Sequence, residues 1–255
     1  MRFLLIGDII GRTGRNALKH FLPSVIEEYK IDFIVANAEN SAGGFGITEK
    51  VYNQLIQLNI DVLTSGNHIF DKKDAFKLLE EKENLLRPAN YPPEVVGKGY
   101  NIFEKNGKKI AVINLMGRVF MGIPLDCPFR KFDEIYEEIK DKVDYIIVDF
   151  HGEATSEKNA FGYYVDGKAD IVFGTHSHVA TADEKMLPNG TIYITDIGMT
   201  GAYHSVIGMK IKEPIEKFLT GINQKYEVSK DGFLFQALFV DLEKKEFKRI
   251  KKEQY

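Results

Sequence analysis

Two histidines that are separated by a single residue follow a short apolar segment near the middle of the chain. Residues 170–173 are typical of a buried strand, and the next segment, residues 174–178, contains His176 and His178. Side chains two positions apart on an extended backbone point the same way, so we expect both imidazoles to face one point beyond the strand. Converging imidazole nitrogens are typical transition-metal ligands, although a single His-x-His pair is a weak signal.

The same pattern recurs at four other places. Apolar stretches at residues 3–6, 33–35, 62–63 and 145–148 each lead into a polar side chain, usually beside a glycine. Open α/β sheets place their sites at the carboxyl ends of strands, so we expect these side chains to meet at one rim. The side chains that follow the four stretches are Asp8, Glu39, Asn67 with the adjacent His68, and His151.

Composition narrows the class of protein. The 255 residues suit one large domain or two small ones, and 44% hydrophobic with 28% charged residues is typical of a soluble globular protein. A net charge of −3 predicts no bulk attraction to nucleic acid or anionic membranes, so phosphate binding requires a local site. The single cysteine, Cys127, excludes an internal disulfide. No apolar run approaches the ~20 residues of a membrane span, and we expect a cytoplasmic protein.

Alternation of strands and helices predicts an α/β fold. The order is βαβαβα, followed by hairpins around residues 106–107, 188–190 and 242–245, with a βαβ-like unit between the first two. This order predicts two packed mixed sheets with helices outside and strand ends at one rim. Residues 7–15 contain three glycines and read as a turn, and a helix is predicted for residues 16–30. Arg12 and Arg15 in that turn either contact a substrate phosphate or are solvated.

The donor set predicts two metal ions. Four ligands close a tetrahedral structural zinc, whereas six oxygen and nitrogen donors suit two ions that share a carboxylate. Carboxylate, amide and imidazole donors are compatible with iron, manganese, zinc or magnesium. Two ions can acidify a bridging water and clamp both oxygens of an in-line displacement. With two divalent ions bound, such a site keeps a net positive charge, which favours the binding of a negatively charged phosphate ester. The six candidates are Asp8, Glu39, Asn67, His151, His176 and His178.

His68 stands directly after Asn67 but is outside these six. A histidine in this position can protonate a leaving alkoxide as a general acid. The alternative interpretation is a structural histidine that bonds the backbone. Because of its place in the cluster, we predict the catalytic role.

The motifs at residues 66–68 and 174–178 resemble the signatures of the calcineurin-like metallophosphoesterases. With residues 7–8, 38–40, 149–152 and 195–201, nearly the whole chain resembles the YmdB-like branch. The resemblance implies a four-layer α/β/β/α sandwich, a single metallophosphoesterase domain over residues 1–255, and a binuclear metal centre. It also implies phosphodiesterase activity, with 2′,3′-cyclic or 3′,5′-cyclic AMP as candidate substrates.

The resemblance further implies how the ligands are shared. One ion takes Asp8, Glu39 and His178, with Asn40 as a further candidate. The other takes Glu39, Asn67, His151 and His176, so that Glu39 bridges, and His68 is the general acid. Two features depart from the wider superfamily and fit the YmdB-like branch: Asp8-Ile9-Ile10 replaces Asp-x-His, and Glu39 replaces the bridging aspartate.

Two other functions stay open. A phosphomonoesterase would need extra cationic contacts, for which Arg12, Arg15 and Arg118 are candidates. A regulatory protein that binds a nucleotide or an RNA end would need no proton donor, so His68 argues against it. A homo-oligomer is also open, because Phe45, Phe120 and Phe161 are candidates for an interface or a pocket wall.

Overall fold

The computed structural model describes all 255 residues, in six helices and thirteen strands. The helices are α1 (Gly11–Tyr29), α2 (Glu49–Ile56), α3 (Asp74–Glu81), α4 (Pro128–Ile139), α5 (Thr155–Tyr164) and α6 (Lys212–Thr220). A short 3₁₀ turn covers Ile69–Asp71. None of the helices is long and apolar enough to cross a membrane.

Two mixed sheets contain most of the strands. The first consists of β1 (Arg2–Ile6), β3 (Phe33–Asn37), β4 (Val62–Thr64), β12 (Phe233–Asp241) and β13 (Glu246–Gln254), in the order β13-β12-β1-β3-β4. The second consists of β5 (Tyr100–Lys105), β6 (Lys108–Met116), β7 (Tyr145–His151), β8 (Ile171–Thr175), β9 (Lys185–Met186) and β10 (Ile192–Ile194), in the order β5-β6-β7-β8-β10-β9. The short strands β2 (Asp8–Ile9) and β11 (Met199–Thr200) pair with each other in parallel.

Alternating side chains divide each central strand between two cores. In β1, Phe3 and Leu5 belong to a core of 17 buried residues that joins the two sheets, with Ile147 and Phe173 on the second sheet. Leu4 and the other alternate residues face a second core with helices α1, α2 and α3. A third core packs α4 and α5 on the second sheet. The molecule is therefore the predicted four-layer α/β/β/α sandwich, and its central strands are apolar on both faces because both faces are buried.

The three predicted hairpins are confirmed. Antiparallel pairing joins β5 to β6, β9 to β10, and β12 to β13. Asn106 and Gly107 both have positive φ at the first turn, as an Asn-Gly turn requires.

The prediction of a turn over residues 7–15 is wrong, because Asp8–Ile9 form β2 and α1 begins at Gly11. Gly14 is inside the helix, and a Cβ there would lie 2.3 Å from the carbonyl oxygen of Thr200. This glycine therefore lets α1 pack closely against β11 and does not form a flexible loop. Helix α6 was not predicted, and only Pro214 of its residues is buried.

Candidate metal centre

The carboxyl ends of strands from both sheets meet at one rim. The Asn37 amide at the end of β3 donates a hydrogen bond to Asp149 Oδ2 of β7, at 3.1 Å. Directly after β4 in the chain, the backbone N–H of Ser65 donates to Asn114 Oδ1 of β6, at 2.9 Å. These bonds hold the two sheets in register where the predicted ligands lie, as expected for an α/β site.

Three donor atoms converge on His151 Nε2. Asn67 Oδ1 and His176 Nδ1 each lie 3.0 Å from this nitrogen, and Glu39 Oε1 lies 3.2 Å from it. The donor atoms of Glu39, His151 and His176 all lie within 4.8 Å of one another, which makes a candidate metal site. Glu39 and His151 are fully buried.

The contacts of His151 Nδ1 explain why these donors need a cation. Thr175 Oγ1 donates to Asp149 Oδ1 at 2.7 Å, so it accepts a hydrogen bond from His151 Nδ1, at 2.9 Å. The Nε2 lone pair of a neutral His151 then faces the oxygens of Asn67 and Glu39. Electron pairs directed at one point repel unless a cation lies among them, and imidazole, carboxylate and amide donors fit a divalent metal ion.

The ionisation of this cluster supports the same conclusion. Burial disfavours a charged His151, but the Glu39 carboxylate outweighs burial and raises the pKa of His151 to about 9. Burial raises the pKa of Glu39, and the charge of His151 outweighs burial, so that the pKa falls below its usual value. Burial and then His151 lower the pKa of His176 to about 3, so His176 is a neutral donor. When no metal is bound, the positive charge at this site is the proton on His151.

A second group of donors shares Glu39. The Asn40 amide nitrogen lies 3.1 Å from Glu39 Oε1, 3.2 Å from His178 Nε2 and 3.5 Å from Asp8 Oδ1. His178 Nδ1 donates to the carbonyl of Ile207 at 2.9 Å, which leaves the Nε2 lone pair directed into this group. Burial raises the pKa of Asp8, against the opposing charges of His178 and His151. Asn40 therefore places a hydrogen-bond donor among three groups that could bind a cation.

The geometry predicted for His176 and His178 is wrong. Strand β8 ends at Thr175, and the backbone φ is 100° at His176 and 63° at His178. The two imidazoles consequently face different partners, His151 and the Asp8 group. Asp8 Oδ2 accepts from the backbone N–H of His176 at 3.0 Å, a contact across 168 residues that local sequence pattern does not reveal.

A buried ion pair supports the same loop, and its residues were not predicted. Lys158 Nζ donates to Asp196 Oδ2 and to the Thr175 carbonyl, both at 2.7 Å. Asp196 Oδ2 also accepts from the backbone N–H of Ser177, at 3.1 Å. Both side chains are almost completely buried, so their charges compensate each other. Lys158 lies in α5, and the only signal in the sequence is a lysine on the side of this helix that is buried.

His68 lies beside the cluster. Its Nδ1 is 2.8 Å from Asp71 Oδ2, and its backbone N–H donates to Glu39 Oε2 at 2.9 Å. Its ring packs edge-on against Phe45, with ring centroids 4.9 Å apart. The imidazole therefore hydrogen-bonds a carboxylate side chain. The alternative interpretation, a ring that bonds the backbone, is not what the structure shows. Asp71 was not predicted, although it stands three residues further on.

A cavity of about 370 Å³ opens on His68 and on the donors Glu39, Asn40, His176 and His178. No lysine or arginine lines it. Arg12 and Arg118 are exposed, and Arg15 donates to Gln54 Oε1 at 3.0 Å and to the Ser41 carbonyl. Among the three phenylalanines considered for a pocket wall or interface, Phe45 lines the cavity, Phe120 is exposed and Phe161 is fully buried.

A four-layer sandwich with carboxylate, amide and imidazole donors at its strand ends defines a calcineurin-like metallophosphoesterase. A profile described as YmdB-like protein matches residues 4–254, and the chain belongs to this family.

Named relatives agree with this class. The chain is 46% identical to the 2′,3′-cyclic-nucleotide 2′-phosphodiesterase of Bacillus subtilis (strain 168), over 99% of this chain and 96% of that one. It is 37% identical to a putative phosphatase/phosphodiesterase of Mycoplasma pneumoniae, over 99% of this chain and 92% of that one. A hypothetical protein from Thermus thermophilus has a similar crystal structure, with a TM-score of 0.94, 40% identity and full coverage of both chains. The relatives' names confirm the predicted class of enzyme, a hydrolase of phosphoric esters.

Proposed function

We propose that the protein is a dinuclear metal-dependent phosphodiesterase that hydrolyses cyclic nucleotides. The observation that carries this proposal is the convergence of Asn67, His176 and Glu39 on His151 Nε2, beside a histidine that can donate a proton. The name of the Bacillus subtilis relative supports 2′,3′-cyclic nucleotides as the first substrates to test.

In this proposal, the protein would hold two ions, and Glu39 would be among the ligands of both. Asp8 and His178 would hold one ion, with the amide oxygen of Asn40 as a further candidate ligand, and Asn67, His151 and His176 would hold the other. When bound, the ions supply a water of lowered pKa and a positive charge that holds the phosphate. Iron, manganese, magnesium and zinc all suit these donors.

His68 acts on the leaving oxygen. Its Nδ1 faces Asp71 Oδ2 at 2.8 Å, so the carboxylate fixes the ring and leaves Nε2 for the substrate. A ribose oxygen is a poor leaving group until it is protonated, and a general acid at this position supplies the proton. This role also explains why the site contains a histidine that is not needed as a ligand.

The cavity favours a diester over a monoester. A phosphodiester carries one negative charge, whereas a phosphomonoester carries up to two and needs additional cations for binding. The cavity lining has no lysine or arginine, and it contains the carboxylate of Glu153 in addition to Glu39. The charge of the lining therefore supports the diesterase over the phosphomonoesterase alternative.

Hydrolysis by the metal-stripped protein tests the proposal. We expect no turnover of 2′,3′-cyclic AMP without metal, turnover after addition of Mn²⁺, and slower hydrolysis of 3′-AMP. A His151→Ala variant should be inactive, and His20→Ala, an exposed histidine on α1, should match wild type. Absence of turnover in protein shown to bind two ions would contradict the proposal and favour a binding protein. Faster hydrolysis of 3′-AMP would favour the phosphomonoesterase.

A further inference from the structure

One side of the cavity is apolar. The segment 206–226 contributes Val206, Ile207, Met209, Pro214, Phe218 and Tyr226 to the lining, and Phe45 adds a third aromatic ring. We call these seven side chains the apolar wall. Pro214 and Phe218 belong to α6, a helix in which only Pro214 is buried. Phe218 is 82% exposed, so its ring has a free face toward solvent.

The apolar wall adjoins the groups that would act on a substrate. The carbonyl of Ile207 accepts the 2.9 Å hydrogen bond from His178 Nδ1. The ring of Phe45 packs on the ring of His68. A molecule whose phosphate lies among these ligands can therefore reach this wall, and a cavity of about 370 Å³ is within the range that holds small ligands.

We infer that the apolar wall is a platform for the nucleobase of the substrate, with Phe218 as its exposed stacking residue. This inference rests on the proposed function. Every nucleobase has a flat π face, and stacking on an aromatic side chain is an established source of affinity for such groups. A bound base would also cover the Phe218 ring, which otherwise stays in water.

The lining offers few groups that could distinguish one base from another. Five of the polar lining side chains belong to the proposed metal centre or are His68. Of the others, Glu153 Oε2 lies 3.2 Å from His176 Nε2, and Ser177 Oγ donates to the carbonyl of Val179 at 3.3 Å. The remaining hydroxyl, on Tyr226, both donates and accepts and so suits any base. We therefore expect kcat/KM values for the four 2′,3′-cyclic nucleotides to lie within about tenfold of one another, because stacking is tolerant of sequence.

A substrate without a base tests the platform directly. Glycerol 1,2-cyclic phosphate has the same five-membered cyclic diester as 2′,3′-cyclic AMP but no nucleobase. In Phe218→Ala, we expect kcat/KM for 2′,3′-cyclic AMP to fall about tenfold through KM, with no change for the glycerol compound. Leu219→Ala is the matched control, since Leu219 is 80% exposed on the same helix but does not line the cavity. This control should change neither value.

An equal loss on both substrates, or no loss on either, would overturn the platform while leaving the diesterase intact. Equal rates of hydrolysis of both compounds by the wild-type protein would also overturn the platform and leave the diesterase intact. If wild type with two bound ions hydrolyses neither, the proposed function is contradicted, and equilibrium binding of AMP to wild type and Phe218→Ala decides the platform. Equal AMP affinities would then overturn it.

Discussion

At the residue scale, His151 is the centre of the site because its two nitrogens have different partners. Thr175 fixes the proton on Nδ1, and Nε2 faces Glu39 and Asn67. Such outer contacts orient metal ligands and tune their basicity. The sequence predicts His151 as a ligand, but it does not reveal Thr175, which lies in a different strand.

Metal binding should release protons. The Glu39 carboxylate raises the pKa of His151 to about 9, so below this pH the metal-free protein holds a proton at Nε2 that a metal must displace. We expect release of about one proton per protein at pH 7.5 from His151, and affinity that falls as pH falls. Calorimetric titration with Mn²⁺ in two buffers of different ionisation enthalpy measures the release.

In His151→Gln, that proton should no longer be released, because the glutamine has no titratable nitrogen. Binding to wild type with heats that do not depend on the buffer would contradict the arrangement of His151 described above.

Replacement of His68 should affect poor leaving groups most. In His68→Ala, we expect kcat for 2′,3′-cyclic AMP to fall by roughly 10²–10⁴-fold, the usual contribution of a general acid. Hydrolysis of bis(p-nitrophenyl) phosphate should fall by less than about tenfold, since p-nitrophenolate leaves with little help from a proton. Steady-state kinetics on both substrates checks this. Equal losses on the two substrates would assign His68 to binding or structure.

At the element scale, apolar pattern and turn chemistry predicted the longer strands, the hairpins and two packed mixed sheets with helices outside, and the family resemblance implied the four layers. The missed elements lack those signals. Helix α1 begins five residues earlier than the predicted start at Asn16, and in this first part Gly14 packs against Thr200 from a distant part of the chain. Helix α6 exposes most of its apolar residues, so it has no buried stripe to recognise. The loop at His176 and His178 turns because Asp8 and Asp196 bind its backbone, which is again long-range information.

Replacement of Lys158, which connects α5 to the loop at His176 and His178, should lower the stability of the protein. In Lys158→Met, the Asp196 charge stays buried without its partner, and we expect unfolding free energy to fall by about 3–5 kcal/mol. The partly exposed pair of Lys168 with Asp133 is the matched control, and Lys168→Met should cost at most about 1 kcal/mol. Urea denaturation of the two variants measures both values. Equal losses of unfolding free energy in the two variants would show that burial does not determine how much the Lys158–Asp196 pair contributes to stability.

At the scale of the whole molecule, the candidate metal centre lies across the junction of the two sheets. Glu39 and Asn67 follow strands β3 and β4 of the first sheet, whereas His151 ends β7 and His176 follows β8 of the second. In the proposed centre, ligands from both sheets come together only when the sandwich is assembled. Folding of the domain and binding of metal should therefore be coupled.

This coupling predicts that metal stabilises the fold. A ligand that binds only the native state adds RT ln(1 + [L]/Kd), so Mn²⁺ at one hundred times its Kd should add about 2.7 kcal/mol per ion. For a chain of 255 residues, each kcal/mol raises Tm by roughly 2–4 °C. Thermal unfolding followed by circular dichroism, with Mn²⁺ and with EDTA, measures the shift. His176→Ala should lose about half of the shift, the share of the one ion that this residue would hold, whereas His20→Ala, on the exposed side of α1, should keep it. A Tm that does not respond to Mn²⁺ in wild type would mean that the centre does not hold metal in the folded protein.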